Sequence, residues 1–340
     1  MMKTFRVGID SYSLSPLGLS ARAVLDWAEA NGAEGVQFSE GCPGGSPADD
    51  AELVDLGQSA RERGMYIEWG GGQHIPFDTT KWRAKDLLGV NTEAARRAQL
   101  VGASVVRSCS GGLMRWGAAA PSTEVLLQEM ARALRAQEPM WRDMGVTLAI
   151  ELHFEFTTFE LLRLFEMCKA EPGGPLGICL DTMNLLTMLE DPVAGTERIL
   201  PWVVATHVKD GGLMMGKKGL VSFPAEAGTG VVDIEGVLAR LVTLKRRVNL
   251  SLEDHGGSFT IPIYDPEFMS RFPDLDTAEL TGLLGLAKGC RRRVESRELV
   301  PLDRGQWPRH CEARVLRGLQ HLKQVVAAFE QSASDADRDA

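Results

Sequence analysis

Four apolar runs in this sequence each end on a side chain able to hold a metal ion: Ala149-Ile150-Glu151, Cys179-Leu180-Asp181, Ala205-Thr206-His207 and Ser251-Leu252-Glu253. Each run reads as a buried strand. Three carboxylates and one imidazole, delivered at the ends of four separate strands, suit one divalent cation. Mostly oxygen ligands with one nitrogen favour Mn²⁺, with Mg²⁺ or Co²⁺ as alternatives, over a thiolate-bound structural zinc. A cation with open coordination positions holds a carbonyl oxygen and its neighbouring hydroxyl together, acidifies the C–H bond between them and stabilises an enediolate. Aldose–ketose isomerisation and epimerisation both run through that species. They need a base on either side of the bound sugar, and Glu151 and Glu253 fall on strands three apart. His153, two residues beyond Glu151, is a third candidate base if the strand persists that far, because strand side chains alternate; the other reading is a packed, hydrogen-bonded histidine.

The elements that must position these groups alternate along the chain. Phe5 to Asp10 reads as a strand, and Ser20 to Asn31 carries Ala21, Val24, Leu25 and Ala28 at helical spacing behind a serine cap. The pattern repeats as Gly35 to Ser39 then Asp50 to Arg63, Met65 to Trp69 then Lys81 to Val101, and Ala103 to Arg107 then Thr123 to Met144. It continues with Val146 to Glu151 then Thr157 to Lys169, Leu176 to Asp181 then Leu185 to Leu200, Trp202 to Val208 then Asp233 to Leu244, and Val248 to Glu253 then Asp276 to Glu295. Eight such units specify a closed (β/α)₈ TIM barrel over residues 1–300. An open doubly wound sheet is disfavoured, because Asp10-Ser11-Tyr12-Ser13 has no glycine fingerprint and no Walker sequence occurs. Residues 301–330 form a helical extension, with an amphipathic helix from Arg314 to Phe329, and the polar tail 331–340 is expected to be disordered. Val315, Leu316, Leu319 and Leu322 on that helix face either the barrel or a second subunit. No linker separates domains.

Composition narrows the class. The 340 residues are 44% hydrophobic and 24% charged, as in an ordinary globular chain long enough for one such barrel. A net charge of −9 opposes a nucleic-acid partner, which needs a dense basic surface. The six cysteines Cys42, Cys109, Cys168, Cys179, Cys290 and Cys311 form no C-x-x-C pair and read as reduced thiols. Met1 to Asp10 lacks the features of a signal peptide and no apolar run is long enough to span a bilayer, so a cytoplasmic location without membrane contact is expected.

The segments Glu151-Leu152-His153, Leu180-Asp181-Thr182-Met183-Asn184, His207-Val208-Lys209-Asp210 and Leu252-Glu253 resemble the xylose isomerase-like superfamily of sugar isomerases and epimerases over roughly residues 5–300. The resemblance implies Glu151, Asp181, His207 and Glu253 as metal ligands, with both glutamates doubling as acid/base groups. It also implies a sugar or keto-sugar substrate. Two departures stand out. Asn184 lies where sugar 3-epimerases place a histidine, and Lys217 and Lys218 replace an arginine in the loop after His207. The segments Gly8-Ile9-Asp10-Ser11-Tyr12-Ser13 and Val36-Gln37-Phe38-Ser39-Glu40 are similar to a branch acting on 3-keto sugars, including C-glycoside deglycosidases and 3-oxo-isoapionate decarboxylases. That likeness implies, as the alternative, a lyase that expels a leaving group or carbon dioxide from the same enediolate. Apurinic endonucleases share the barrel but hold three metals and need more than the six histidines present.

Further groups are candidates for substrate contact. Arg107 ends the fourth strand and either binds a substrate carboxylate or holds a metal-ligating glutamate. Lys209, two residues past His207, is placed to polarise a substrate oxygen, and Asp210 and Asn184 lie close by in sequence. Glu68 and His74 bracket a glycine run, Gly70-Gly71-Gly72, that either lets backbone approach a ligand or is a flexible turn. The loops Gly211 to Val232 and Asp254 to Asp276 are long enough to act as lids. A homo-oligomer or a partner subunit is left open.

Overall fold

The computed structural model describes residues 5–41, 49–117 and 119–339, with side chains to residue 332; Cys42 lies outside the described residues. Eight parallel strands close into a barrel: β1 (Phe5–Asp10), β2 (Gly35–Phe38), β3 (Tyr66–Gly72), β4 (Val105–Ser108), β5 (Thr147–Glu151), β6 (Leu176–Asp181), β7 (Val203–Val208) and, after an excursion formed by β8 (Asp210–Gly216) and β9 (Gly219–Ala225), β10 (Val248–Leu252). β10 pairs with β1 from Phe5↔Val248 to Ile9↔Leu252, which closes the ring. Helices stand between successive strands, and their starts are written in the sequence. Ser20 and Ser122 accept N–H bonds from Ala23 and Val125, while Asp49 with Glu52 and Thr157 with Glu160 form reciprocal capping boxes.

Alternation along each strand sorts the two faces. Val7, Ile9, Val36, Phe38, Val106, Leu148, Ile150, Ile178, Leu180 and Leu250 are buried in the layer beneath the helices. The interior holds small and polar residues instead: Ala149, Cys179 and Ala205 pack together, and Tyr66 crosses the lumen to Ser251 with its hydroxyl 2.9 Å from Oγ. Room for Tyr66 comes from two glycines. A Cβ at Gly35 would lie 2.2 Å from the Tyr66 ring, and one at Gly8 would lie 2.3 Å from its hydroxyl.

Several expectations need correction. Gly70 to Gly72 is neither loop nor turn but the end of β3, where a Cβ on Gly70 would meet the Ser39 carbonyl oxygen at 1.8 Å. The helix expected over Leu185 to Leu200 is broken into Asn184–Thr187 and Pro192–Ile199. The first piece closes at Met188, and Asp191 caps the second, accepting from Val193 and Ala194 N–H groups, with Pro192 at the first helical position. The loop expected over Gly211 to Val232 contains the hairpin β8–β9, extended by β11 (Phe259–Ile261) into a three-stranded antiparallel sheet. The tail is helical as well: one helix runs from Trp307 to Asp339, where disorder was expected from residue 331.

That last helix packs on the barrel. Val315, Leu319 and Leu322 are buried, and the Phe329 ring lies 6.5 Å from that of Phe5. It is pinned by a buried bidentate pair, Arg314 Nε and Nη2 to Asp254 Oδ2 and Oδ1 at 2.7 and 2.6 Å, beside Glu253. Removing one partner of such a pair strands the other charge, at a cost of about 3–5 kcal/mol. Arg314→Ala therefore lowers the free energy of unfolding by that order in urea melts, and a loss below about 1 kcal/mol would contradict the pairing.

Candidate metal centre

The parallel strands end at one rim, and the groups predicted from their ends meet there. Glu151, Asp181 and His207 terminate or nearly terminate β5, β6 and β7, and Glu253 follows β10, its N–H bonded to Val208 O at 3.0 Å. These four strands are neighbours in the barrel, and Asp181 is in register with His207. One donor atom from each of the four side chains lies within 4.8 Å of the others, and all four residues are buried.

His207 is held from both sides. Nδ1 faces the carboxylates, 3.1 Å from Glu151 Oε1 and 3.6 Å from Glu253 Oε2, while Nε2 donates to Gln37 Oε1 and lies 3.5 Å from Asp10 Oδ2. Gln37 is fixed in turn, its Nε2 donating to Glu68 Oε2 at 2.6 Å, and Asn249 Nδ2 donates to Glu68 Oε1 at 2.8 Å. A chain of hydrogen bonds across the barrel lumen thus orients the one imidazole of the set. Asp181 Oδ1 accepts the N–H groups of Met183 and Asn184 at 2.9 and 2.8 Å, which turns Oδ2 toward the centre.

Two cations balance the carboxylates. Lys209 Nζ stands 2.9 Å from Glu253 Oε2 and 3.3 Å from Asp181 Oδ2, and Arg107 pairs with Glu151 Oε2 while donating to Ser39 O at 3.2 Å. Burial opposes ionisation of Glu151 and Glu253, yet Arg107 and His207 hold the first well below the usual carboxylate range, and Lys209 and His207 do the same for the second. Asp181 goes the other way. Burial, with Glu253 and Glu151 as like-charged neighbours, pushes it up to about 6 despite Lys209. Burial also disfavours charge on His207, but Glu151 and Glu253 outweigh it and keep the ring protonated above its ordinary range.

Three hard oxygens and one imidazole at this spacing fit a divalent cation, with the condition that it compete with Lys209 for Asp181 Oδ2 and Glu253 Oε2. The centre lies at the floor of a cavity of about 1270 Å³. Glu151, Glu253, Lys209, Arg107 and His153 line it, with Tyr12, Phe154, His255 and Phe259 in its walls.

Four expected substrate contacts lie elsewhere. His74 is wholly buried behind the rim, its Nδ1 2.8 Å from Ser108 Oγ, and burial lowers its pKa to about 4. Glu68 is part of the lumen network under His207, and burial raises it to about 7. Asn184 braces Asp181 and donates to Leu152 O at 3.2 Å. Asp210 is a structural anchor, since its carboxylate accepts N–H bonds from Gly211, Gly228, Gly230 and Val232 and ties the β8–β9 excursion down. Gln37 and Asp10 went unrecognised as supports of His207. Their signal was a polar side chain within or ending an apolar strand.

Residues 25–271 match the family described as xylose isomerase-like TIM barrel, and the chain belongs to that family. Solved structures of the same fold include L-ribulose 3-epimerase, 19% identical with a TM-score of 0.56 over 86% of this chain and 97% of that one. D-allulose 3-epimerase from Methylomonas sp. is 15% identical, TM-score 0.55, over 87% and 98% of the two chains. The probable 3-DHS dehydratase from Bacillus anthracis is 14% identical, TM-score 0.54, over 73% and 92%. No curated protein matches the sequence. Among the described residues no helix is long and apolar enough to cross a membrane.

If Lys209 competes with a cation for two of the four donors, removing its charge strengthens metal binding. Lys209→Met should lower the Mn²⁺ dissociation constant on the order of tenfold by calorimetry while reducing turnover. Unchanged or weaker binding would show that the ammonium is not a competitor.

Proposed function

We propose that this chain is a divalent-metal-dependent isomerase or epimerase of a sugar or sugar-like polyol, with Mn²⁺ as the foremost metal and Mg²⁺ or Co²⁺ as alternatives. One observation carries the reading: Glu151, Asp181, His207 and Glu253 converge, buried, and Glu151 and Glu253 open from that cluster onto a cavity large enough for a sugar. A bound divalent ion supplies Lewis-acid polarisation of a carbonyl and its neighbouring hydroxyl. The chain's own residues do the rest.

Glu151 and Glu253 reach the cavity from opposite ends of the four-strand arc, and each is kept ionised by a cation paired with it, Arg107 for the first and Lys209 for the second. One takes the proton from the carbon next to the carbonyl, and the other is placed to return it on the opposite face, which is what epimerisation demands. Arg107 holds Glu151 in position. Lys209, the cationic group nearest Glu253 at the cavity floor, stabilises negative charge developing on the substrate oxygen. His153 also lines the cavity but belongs to a separate cluster with Glu155, so the two glutamates carry the proton-transfer role.

Cavity size favours a second reading. At about 1270 Å³, with Tyr12, Phe154 and Phe259 in the walls, it exceeds what a single sugar ring fills. A 3-keto sugar bearing an aglycone or acid group fits that space: proton removal beside the ketone would expel the aglycone, whereas a carboxylate beside the ketone would leave as carbon dioxide, its C–C bond supplying the electron pair of the enediolate that a glutamate then protonates.

Incubating the Mn²⁺-loaded enzyme in D₂O with panels of ketoses and 3-keto sugars, and following products by NMR, separates the two. Deuterium at the carbon beside the carbonyl, with an isomeric product, is the expected result; an expelled group or carbon dioxide selects the lyase. In either case EDTA abolishes turnover, Mn²⁺ restores it, and Glu253→Gln lowers kcat by about 10²–10⁴-fold with the fold intact. Full activity in EDTA would overturn the proposal.

A further inference from the structure

A second cluster stands on the rim of the same cavity. Cys109 follows β4, His153 and Glu155 follow the end of the adjacent β5, and one donor atom from each lies within 4.8 Å of the other two. Cys109 and His153 line the cavity, while Glu155 is 2% exposed behind them. None of these side chains belongs to the deeper set of three carboxylates and an imidazole.

The bonding of Glu155 is incomplete. Neither of its oxygens has a hydrogen-bond partner, and His153 Nδ1 has none either. Nδ1 approaches Glu155 Oε2 to 3.3 Å, but without the alignment of a hydrogen bond. At that distance a protonated His153 ring offsets the charge on Oε2, but Glu155 Oε1 is still left without a partner, which is unfavourable for a buried carboxylate. A cysteine–histidine–glutamate relay, in which the carboxylate accepts the Nδ1 proton, would have closed that bond. A cation set among a sulfur, a nitrogen and an oxygen satisfies all three groups at once.

We infer that Cys109, His153 and Glu155 form a second metal site, one that takes a borderline divalent ion such as Zn²⁺ or Co²⁺. Thiolate with imidazole selects such an ion, whereas the deeper oxygen-rich set favours a harder one. Three protein ligands leave a coordination position open to the cavity, which is the arrangement of a substrate-binding rather than a purely structural centre. The site stands independently of the isomerase reading.

Cobalt titration of the metal-stripped full chain tests it, because thiolate ligation gives a sulfur-to-cobalt charge-transfer band that the deeper set, which contains no sulfur, does not produce. Wild type should bind two Co²⁺ per chain and develop the band. Cys109→Ser should bind one and show none, and Glu155→Gln, the second variant should the serine form fail to fold by circular dichroism, should bind the band-producing ion at least tenfold more weakly. Asp181→Asn should keep the band while losing the other ion, so loss of the deep site is read separately from loss of the rim site. Wild type without the band, or a band that persists in Cys109→Ser, overturns the inference.

Discussion

Everything at the mouth of this barrel depends on the cost of burying three carboxylates within a few ångströms of one another. Left alone, Glu151, Asp181 and Glu253 would repel each other in a medium that screens poorly. Arg107 on Glu151, Lys209 between Asp181 and Glu253, and a protonated His207 between Glu151 and Glu253 oppose that repulsion. This balance is what a divalent ion would have to replace. Binding there would free Lys209 from its two carboxylates and release the His207 proton, so metal loading, lysine position and protonation form one coupled equilibrium.

The fold meets that cost by spending the barrel lumen on polar support. The lumen of a barrel of this kind is ordinarily filled by layers of branched apolar residues. Here Gly8 and Gly35 admit Tyr66, and the line from Asn249 through Glu68 and Gln37 to His207 crosses the interior. The apolar driving force sits outside, between strands and helices. The terminal helix adds a clamp, since Arg314 holds Asp254 next to Glu253 and the Asp254 N–H bonds Ser13 Oγ at 3.0 Å. Support for the site therefore comes from the first strand-to-helix connection and from a helix nearly at the chain's end.

Much of this was legible in the sequence. Fully buried parallel strands are short apolar runs, and a carboxylate or histidine closing such a run is conspicuous; that rule picks out Glu151, Asp181, His207 and Glu253, which the barrel gathers at one point. What stayed hidden followed from weaker signals. The β8–β9 hairpin is written in glycines, methionines and lysines with no clear two-residue period, so it read as a loop. Asp210 looked like a substrate group because its role, gathering three backbone N–H groups from eighteen to twenty-two residues downstream and one from its neighbour, depends on a loop shape that spacing cannot convey. His74 and Glu68 flanked a glycine run that turned out to be strand, which placed one behind the rim and the other in the lumen. Cys109, His153 and Glu155 lie on two connections, with Cys109 44 residues or more before the other two, and only the pairing of β4 with β5 sets them side by side.

The central claim is that the four buried groups are a cation site with Lys209 as its internal competitor. Diffraction from crystals of the full chain grown with Mn²⁺, recorded at the manganese absorption edge, addresses it directly. The account predicts an anomalous peak bounded by Glu151, Asp181, His207 Nδ1 and Glu253, with the Lys209 ammonium withdrawn from Asp181 and Glu253. No peak there, with Lys209 still bridging the two carboxylates at saturating Mn²⁺, would contradict it.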